Sequence, residues 1–230
     1  MNEQVQPAGY GYASGVAQQR NRVVRNTYWL LALSMVPTVL GAWVGVSTGI
    51  TMALTGGMGL IVFLAGAFGF IFAIEKTKNS AAGVPVLLGF TFFMGLMLSR
   101  LLAMILGFSN GTSLIMTAAA GTGGVFFVMA TLSTVIKRDL SGMGKFLFVG
   151  ALAIMIGAII NVFVGSTVGM LVISVMAIGV FSAYMLYDLK RIVDGGETNY
   201  ISATLALYLD VFNVFQGLLI LLGLSGGSRD

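Results

Sequence analysis

Seven runs of about 20 mostly apolar residues, separated by short polar connections, leave this chain few ways to fold. They lie near residues 28–48, 54–74, 84–106, 113–136, 146–164, 168–187 and 202–223. A helix rising about 1.5 Å per residue needs about 20 residues to cross a hydrocarbon layer about 30 Å thick. Within that layer each backbone N–H and C=O must be satisfied internally, so the expected fold is an all-α integral membrane bundle of seven transmembrane helices. Composition agrees. With 57% hydrophobic residues, 9% charged residues and a mean hydropathy of +0.97, 230 residues cannot cover a soluble domain with polar surface.

The chain has no cysteine and no histidine. Disulfides, thiol nucleophiles, imidazole bases and the usual transition-metal ligands are excluded together. A Gly-x-Ser-x-Gly elbow is also absent, and the sequence reads as a non-enzyme. The pI near 9.5 does not indicate nucleic acid, because the basic residues stand in small groups beside apolar runs instead of on one soluble face. Arg20, Arg22 and Arg25 precede the first segment, Lys76 and Lys78 follow the second, Lys137, Arg138 and Lys145 follow the fourth, and Lys190 and Arg191 follow the sixth. The alternate connections, near 47–51, 107–112 and 165–167, carry no Lys or Arg. The positive-inside rule therefore predicts a cytoplasmic N-terminus and, after seven crossings, a C-terminus on the outer side, with Arg229 the one basic residue there.

Residues 1–25 contain no run suited to a cleaved signal peptide and are rich in Gln, Gly and Asn, which predicts a flexible tail. Residues 26–224 are then the transmembrane domain and 225–230 a short C-terminal tail. Gly41, Gly45 and Gly49 recur every fourth residue in the first segment. That spacing lets helix backbones approach closely, either within the bundle or between two copies. Pro37 should kink the first helix and Pro85 should open the third.

Asp188 and Asp210 are the acidic residues set inside apolar segments, and they flank the connection Val193-Asp-Gly-Gly-Glu-Thr-Asn-Tyr200. An ionisable group at membrane depth is costly and points to an ion path, a proton-sensing site or a partner contact. Gly195 and Gly196 should end the sixth helix, and Thr198 or Asn199 should cap the seventh. Counted from those ends the two aspartates differ in depth by roughly 4 to 9 Å, within reach across adjacent antiparallel helices. Two carboxylates in one low-dielectric site cannot both ionise cheaply, so the pair should share a proton. It could also offer oxygens to Ca²⁺, although no EF-hand loop is present. Asn213, three residues beyond Asp210, lies on the same helical face and could orient that carboxylate. Asp188 could instead pair with Arg191 at i+3, and Glu75 reads as an interfacial charge.

The strings Arg25-Asn-Thr-Tyr-Trp-Leu-Leu31, Gly195-Gly-Glu-Thr-Asn-Tyr-Ile-Ser-Ala-Thr204 and Ser228-Arg-Asp230 resemble the Bax inhibitor-1 family, and within it the bacterial YccA-type branch of FtsH protease modulators. The resemblance implies seven helices with the last wrapped by the others. It also implies a pH-sensitive calcium leak governed by an aspartate pair at the positions of Asp188 and Asp210. The family pattern adds an arginine in helix two that latches onto the pair; residues 54–74 contain none. Arg100, in the third segment, is the basic residue at membrane depth and the candidate replacement.

Two functions from different classes follow. One is modulation of a membrane-anchored FtsH-type protease, to which the tail is presented while the bundle resists extraction from the lipid bilayer. The other is an ion channel or leak through Asp188 and Asp210, with no protease role.

Overall fold

A computed structural model describes residues 9–54 and 56–227. These form α1 (Gly9–Thr48), a short 3-10 turn (Ile50–Ala53), α2 (Gly56–Thr77), α3 (Gly83–Leu106), α4 (Gly111–Val135), α5 (Met143–Val164), α6 (Thr167–Val193) and α7 (Tyr200–Gly226). Among the described residues, all seven helices contain a stretch long and apolar enough to cross a membrane. The all-α, seven-span fold read from the sequence is the fold of the protein.

The helices outrun the apolar segments where polar residues continue them. α6 reaches Val193 through Lys190 and Arg191, because no helix breaker intervenes before Gly195. Of the tail placed at residues 1–25, residues 9–25 are helical and continuous with α1, while residues 1–8 and 228–230 lie outside the described residues. From Gly9 to Val36 the chain has no proline, and Ala13, Ala17, Gln18, Gln19 and Arg20 are good helix formers. Polarity marked where lipid ends; it did not mark where the helix ends.

α7 is the central helix. It packs against α1, α2, α3, α4 and α6, while α5 lies chiefly on α6 and α2. The core gathers on α7 through Ile201, Leu207, Tyr208, Val214 and Leu219, none more than 1% exposed. Phe127, Phe146, Phe163, Trp29 and Trp43 point outward, as side chains facing lipid should.

α1 and α3 run in the same direction and press backbone to backbone. A Cβ on Gly41 would overlap the Phe92 carbonyl oxygen, one on Gly95 the Thr38 carbonyl oxygen, and one on Gly45 the Ser99 hydroxyl. Gly41 and Gly45 are thus spent on packing within the bundle, and Gly49, at φ 65°, ends α1 in the left-handed region. Buried hydroxyls support the seam: Thr38 Oγ1 meets the Tyr208 hydroxyl at 2.9 Å, and Thr51 Oγ1 meets Ser99 Oγ at 2.8 Å.

The start of α1 and the α2–α3, α4–α5 and α6–α7 connections gather at one end, here called the basic end. Asn199 Nδ2 donates to the Lys78 carbonyl at 3.1 Å and to Asn79 Oδ1 at 2.8 Å, tying two of these connections together. At the far end Asn110 Nδ2 donates to the Gly226 carbonyl at 2.7 Å.

Candidate functional site

The turn between α6 and α7 is built by local chemistry. Gly195 takes φ 83°, its N–H donates to the Ile192 carbonyl at 3.1 Å, and the Gly196 N–H donates to the Arg191 carbonyl at 2.8 Å. This is a Schellman ending, which satisfies the last carbonyls of α6 and turns the chain back. Asn199 then caps α7, its Oδ1 accepting from the Ile201 and Ser202 N–H groups at 2.9 and 3.1 Å. Glu197 braces the interval: Oε1 accepts from the Thr198 and Asn199 N–H groups, both at 2.9 Å, and Oε2 pairs with Arg191 Nη2 at 3.1 Å.

So tight a turn sets α6 and α7 side by side and antiparallel. Farther in, they stay close because α7 presents Gly217, where a Cβ would come within 3.1 Å of the Ser174 carbonyl oxygen and 2.9 Å of Ile178. Asp188 lies five residues before the end of α6 and Asp210 ten residues after the start of α7, an axial offset of about 7 Å. Side chains lean toward the N-terminus of their own helix, so Asp188 leans into the bundle and Asp210 leans back toward the loop. The offset closes, and the two carboxylates lie within hydrogen-bonding reach of each other.

Their surroundings differ. Asp210 is 3% exposed and its Oδ2 has no hydrogen-bond partner, whereas Asp188 is half-buried. A buried carboxylate oxygen without a donor is costly. Two carboxylates so near each other in an apolar bundle cannot both ionise cheaply. Tyr184 stands one turn before Asp188 on α6, and its ring meets Tyr187 edge-on. Among the described residues no group of three or more Asp, Glu, His or Cys gathers here. Two carboxylates give at most four oxygens, short of the six to eight a resident Ca²⁺ takes.

The two side chains expected to support the pair make their hydrogen bonds elsewhere. Arg100 is 17 residues into α3, and its Nη1 donates to the Leu54 carbonyl at 3.0 Å, in the connection between α1 and α2 at the far end. Its length lets it reach the polar edge instead of spending its charge in the interior, so it is no counter-ion to the aspartates. Asn213 donates from Nδ2 to the Leu209 carbonyl of its own helix at 2.8 Å, the back-bond a polar side chain makes when lipid offers no other acceptor. Glu75 pairs with Lys78 one turn on, as an interfacial charge does.

The charged groups that do act on Asp188 are Arg191 and Glu197. Arg191 stood in view as an i+3 neighbour. Glu197 did not, because its approach depends on a left-handed glycine and a six-residue turn that no helical spacing describes. Beside the same loop lies a cavity of about 420 Å³, lined by Gln18, Arg22 and Asn26 of α1 and by Thr198 and Tyr200.

Comparison with known proteins gives a consistent result. Residues 20–227 match the family model described as inhibitor of apoptosis-promoting Bax1. A membrane protein of Vibrio cholerae is 38% identical over 90% of this chain and 91% of its own length. The modulator of FtsH protease YccA of Escherichia coli K12 is 35% identical over 91% of this chain and 92% of its own. An Escherichia coli O6:H1 relative with the same identity and coverage is called an inner membrane protein.

Proposed function

This chain belongs to the Bax inhibitor-1 family, and from that premise we propose that it is a multi-pass inner-membrane protein that modulates an FtsH-type protease. The observation that carries this reading is the likeness to a named protease modulator over nearly the whole of both chains. In the proposed arrangement the basic end faces the cytoplasm, the N-terminal segment is offered to the protease, and the bundle behind it is too costly to pull from lipid. The Escherichia coli relative is named a modulator, and the present protein is proposed to act by occupying its partner, without an enzymatic activity of its own.

A second reading is favoured by the aspartate pair: a pH-sensitive leak for a cation such as Ca²⁺. The half-buried Asp188 lies nearer the basic end, Asp210 lies deeper with an oxygen that has no hydrogen-bond partner, and a proton held between them leaves the pair a single negative charge. Loss of that proton leaves two adjacent oxyanions that attract a cation into the bundle. Among the described residues no third acidic ligand gathers with the pair, and in this reading the cation is cargo.

The two readings separate experimentally. Purified protein in liposomes should admit Ca²⁺ to a degree that varies between about pH 6 and pH 8, and Asp210→Asn should lose that variation. Deleting residues 2–19 should relieve modulation of proteolysis and leave the flux unchanged. Flux at no pH would leave protease modulation alone, and a deletion without effect on proteolysis would leave the leak alone.

A further inference from the structure

We propose that the cavity between the start of α1 and the α6–α7 loop receives the headgroup of an anionic phospholipid, with Arg22 as the cation for its phosphate and the acyl chains lying along the outward face of α1.

The cavity, about 420 Å³, falls within the range of small-ligand sites, roughly 300 to 1,000 Å³. Arg22 is the charged residue among those described as lining it, and Gln18, Gln19, Asn26, Thr198 and Tyr200 supply amides and hydroxyls. No carboxylate stands among them. The two acids of the neighbouring loop are engaged elsewhere, Asp194 with Lys190 at 2.7 Å and Glu197 with Arg191 at 3.1 Å. Arg22 is exposed and forms no ion pair with a described residue. Arg20 brings a second guanidinium to the same loop, its stem lying 3.6 Å from where a Cβ on Gly195 would fall. Thr198 and Tyr200 stand at the start of α7, where the helix dipole adds to the attraction for an anion. The charge balance of the cavity is therefore positive, and a guanidinium fork matches phosphate oxygens.

The face of α1 that carries Arg22 decides what bears the phosphate. At 3.6 residues per turn, Arg22, Trp29, Leu33, Val36 and Leu40 fall within a sector of about 60°. All four apolar members of that stripe are exposed, Trp29 by 74%. An outward tryptophan near the end of a membrane-spanning segment marks the headgroup level, and Trp29 lies about 10 Å along the helix from Arg22. One stripe thus runs without interruption from a cationic cavity to a surface that acyl chains cover. A lipid engages both parts of it, whereas a soluble phosphate engages the upper part alone. The lining also selects among lipids. The ammonium of an ethanolamine headgroup finds no carboxylate there, while the hydroxyls of a glycerol headgroup meet Asn26, Gln18 and Thr198. Phosphatidylglycerol has the matching chemistry.

The chain has two tryptophans, Trp29 and Trp43, so Trp43→Phe leaves Trp29 as the reporter. In phosphatidylcholine bilayers holding the full chain, bromine-labelled phosphatidylglycerol should quench Trp29 as though enriched about fivefold over its bulk fraction, the preference that one cation near the surface supplies. Bromine-labelled phosphatidylethanolamine should show no enrichment. Arg22→Gln should return phosphatidylglycerol to its bulk level, and Arg22→Lys, which keeps the charge, should retain most of the enrichment. Arg138→Gln, which removes an exposed cation from the α4–α5 connection at the same end, should change nothing. An unaltered Trp29 emission maximum without quencher checks that each variant is folded. Equal quenching by the two lipids, or enrichment that survives Arg22→Gln, overturns the site. An equal loss in Arg138→Gln also overturns it, since the attraction is then that of the whole basic end. A melting temperature raised by glycerol phosphate or inorganic phosphate in an Arg22-dependent way, with no enrichment of phosphatidylglycerol, assigns the cavity to a soluble phosphate and overturns the lipid.

Discussion

At the scale of single residues, Asn199 joins more of the basic end than any other side chain described. It caps α7 with one end of its amide and holds the α2–α3 connection with the other. Asn199→Ala should therefore cost about 1 to 3 kcal/mol, read as a lower melting temperature in detergent, and Asn199→Asp should recover the capping part alone. The cap was legible in the sequence, because Asn before an apolar run after two glycines is a local signal. The tie to Lys78 and Asn79 was not, since nothing within either connection refers to the other. The same contrast holds for the site. Asp188 and Asp210 stand out because lipid penalises charge wherever it falls in a helix, whereas the roles imagined for Arg100 and Asn213 required knowing which way each side chain turns. Arg100 found a free carbonyl at the far end, and Asn213 found one in its own helix.

At the scale of elements, glycine content marked candidates for close approach without saying which glycines are used. Gly41 and Gly95 face opposing backbone, Gly217 faces Ser174 and Ile178, and Gly123 and Gly124 face open space. Gly95→Ala should destabilise the bundle by about 2 kcal/mol or more, since a backbone carbonyl cannot move aside as a side chain does. Gly123→Ala should be neutral or slightly stabilising, within about 1 kcal/mol. Melting curves of the two variants in the same detergent check the contrast. Gly217→Val should separate α6 from α7 and weaken the contact of the carboxylates, detected as loss of the pH response at temperatures where the variant remains folded. Helix boundaries followed apolar content where glycine, proline or an Asn cap lay close to the lipid edge. They overran it in α1 and α6, where good helix formers continue beyond the apolar stretch.

At the scale of the whole molecule, the alternation of basic and uncharged connections makes a definite claim about orientation. Reporter fusions after Lys137 and at the N-terminus should register on one side of the membrane, and a fusion after Gly227 on the other. A C-terminal reporter on the same side as the N-terminal one would require one fewer crossing than the fold has. The seven-helix fold was readable because hydropathy alone decides it. The order of the helices around α7, with α5 on the outer side of α6, was not, because packing in lipid depends on small residues and hydrogen bonds distributed over many segments. One consequence is mechanical. Because α1 and α3 run parallel and mesh through Gly41, Gly45 and Gly95, a pull applied along α1 from its basic end loads every contact of that seam at once, in shear, instead of opening the seam one contact after another. An unfolding motor gripping this chain from its N-terminus would meet its greatest resistance in the first helix it reached.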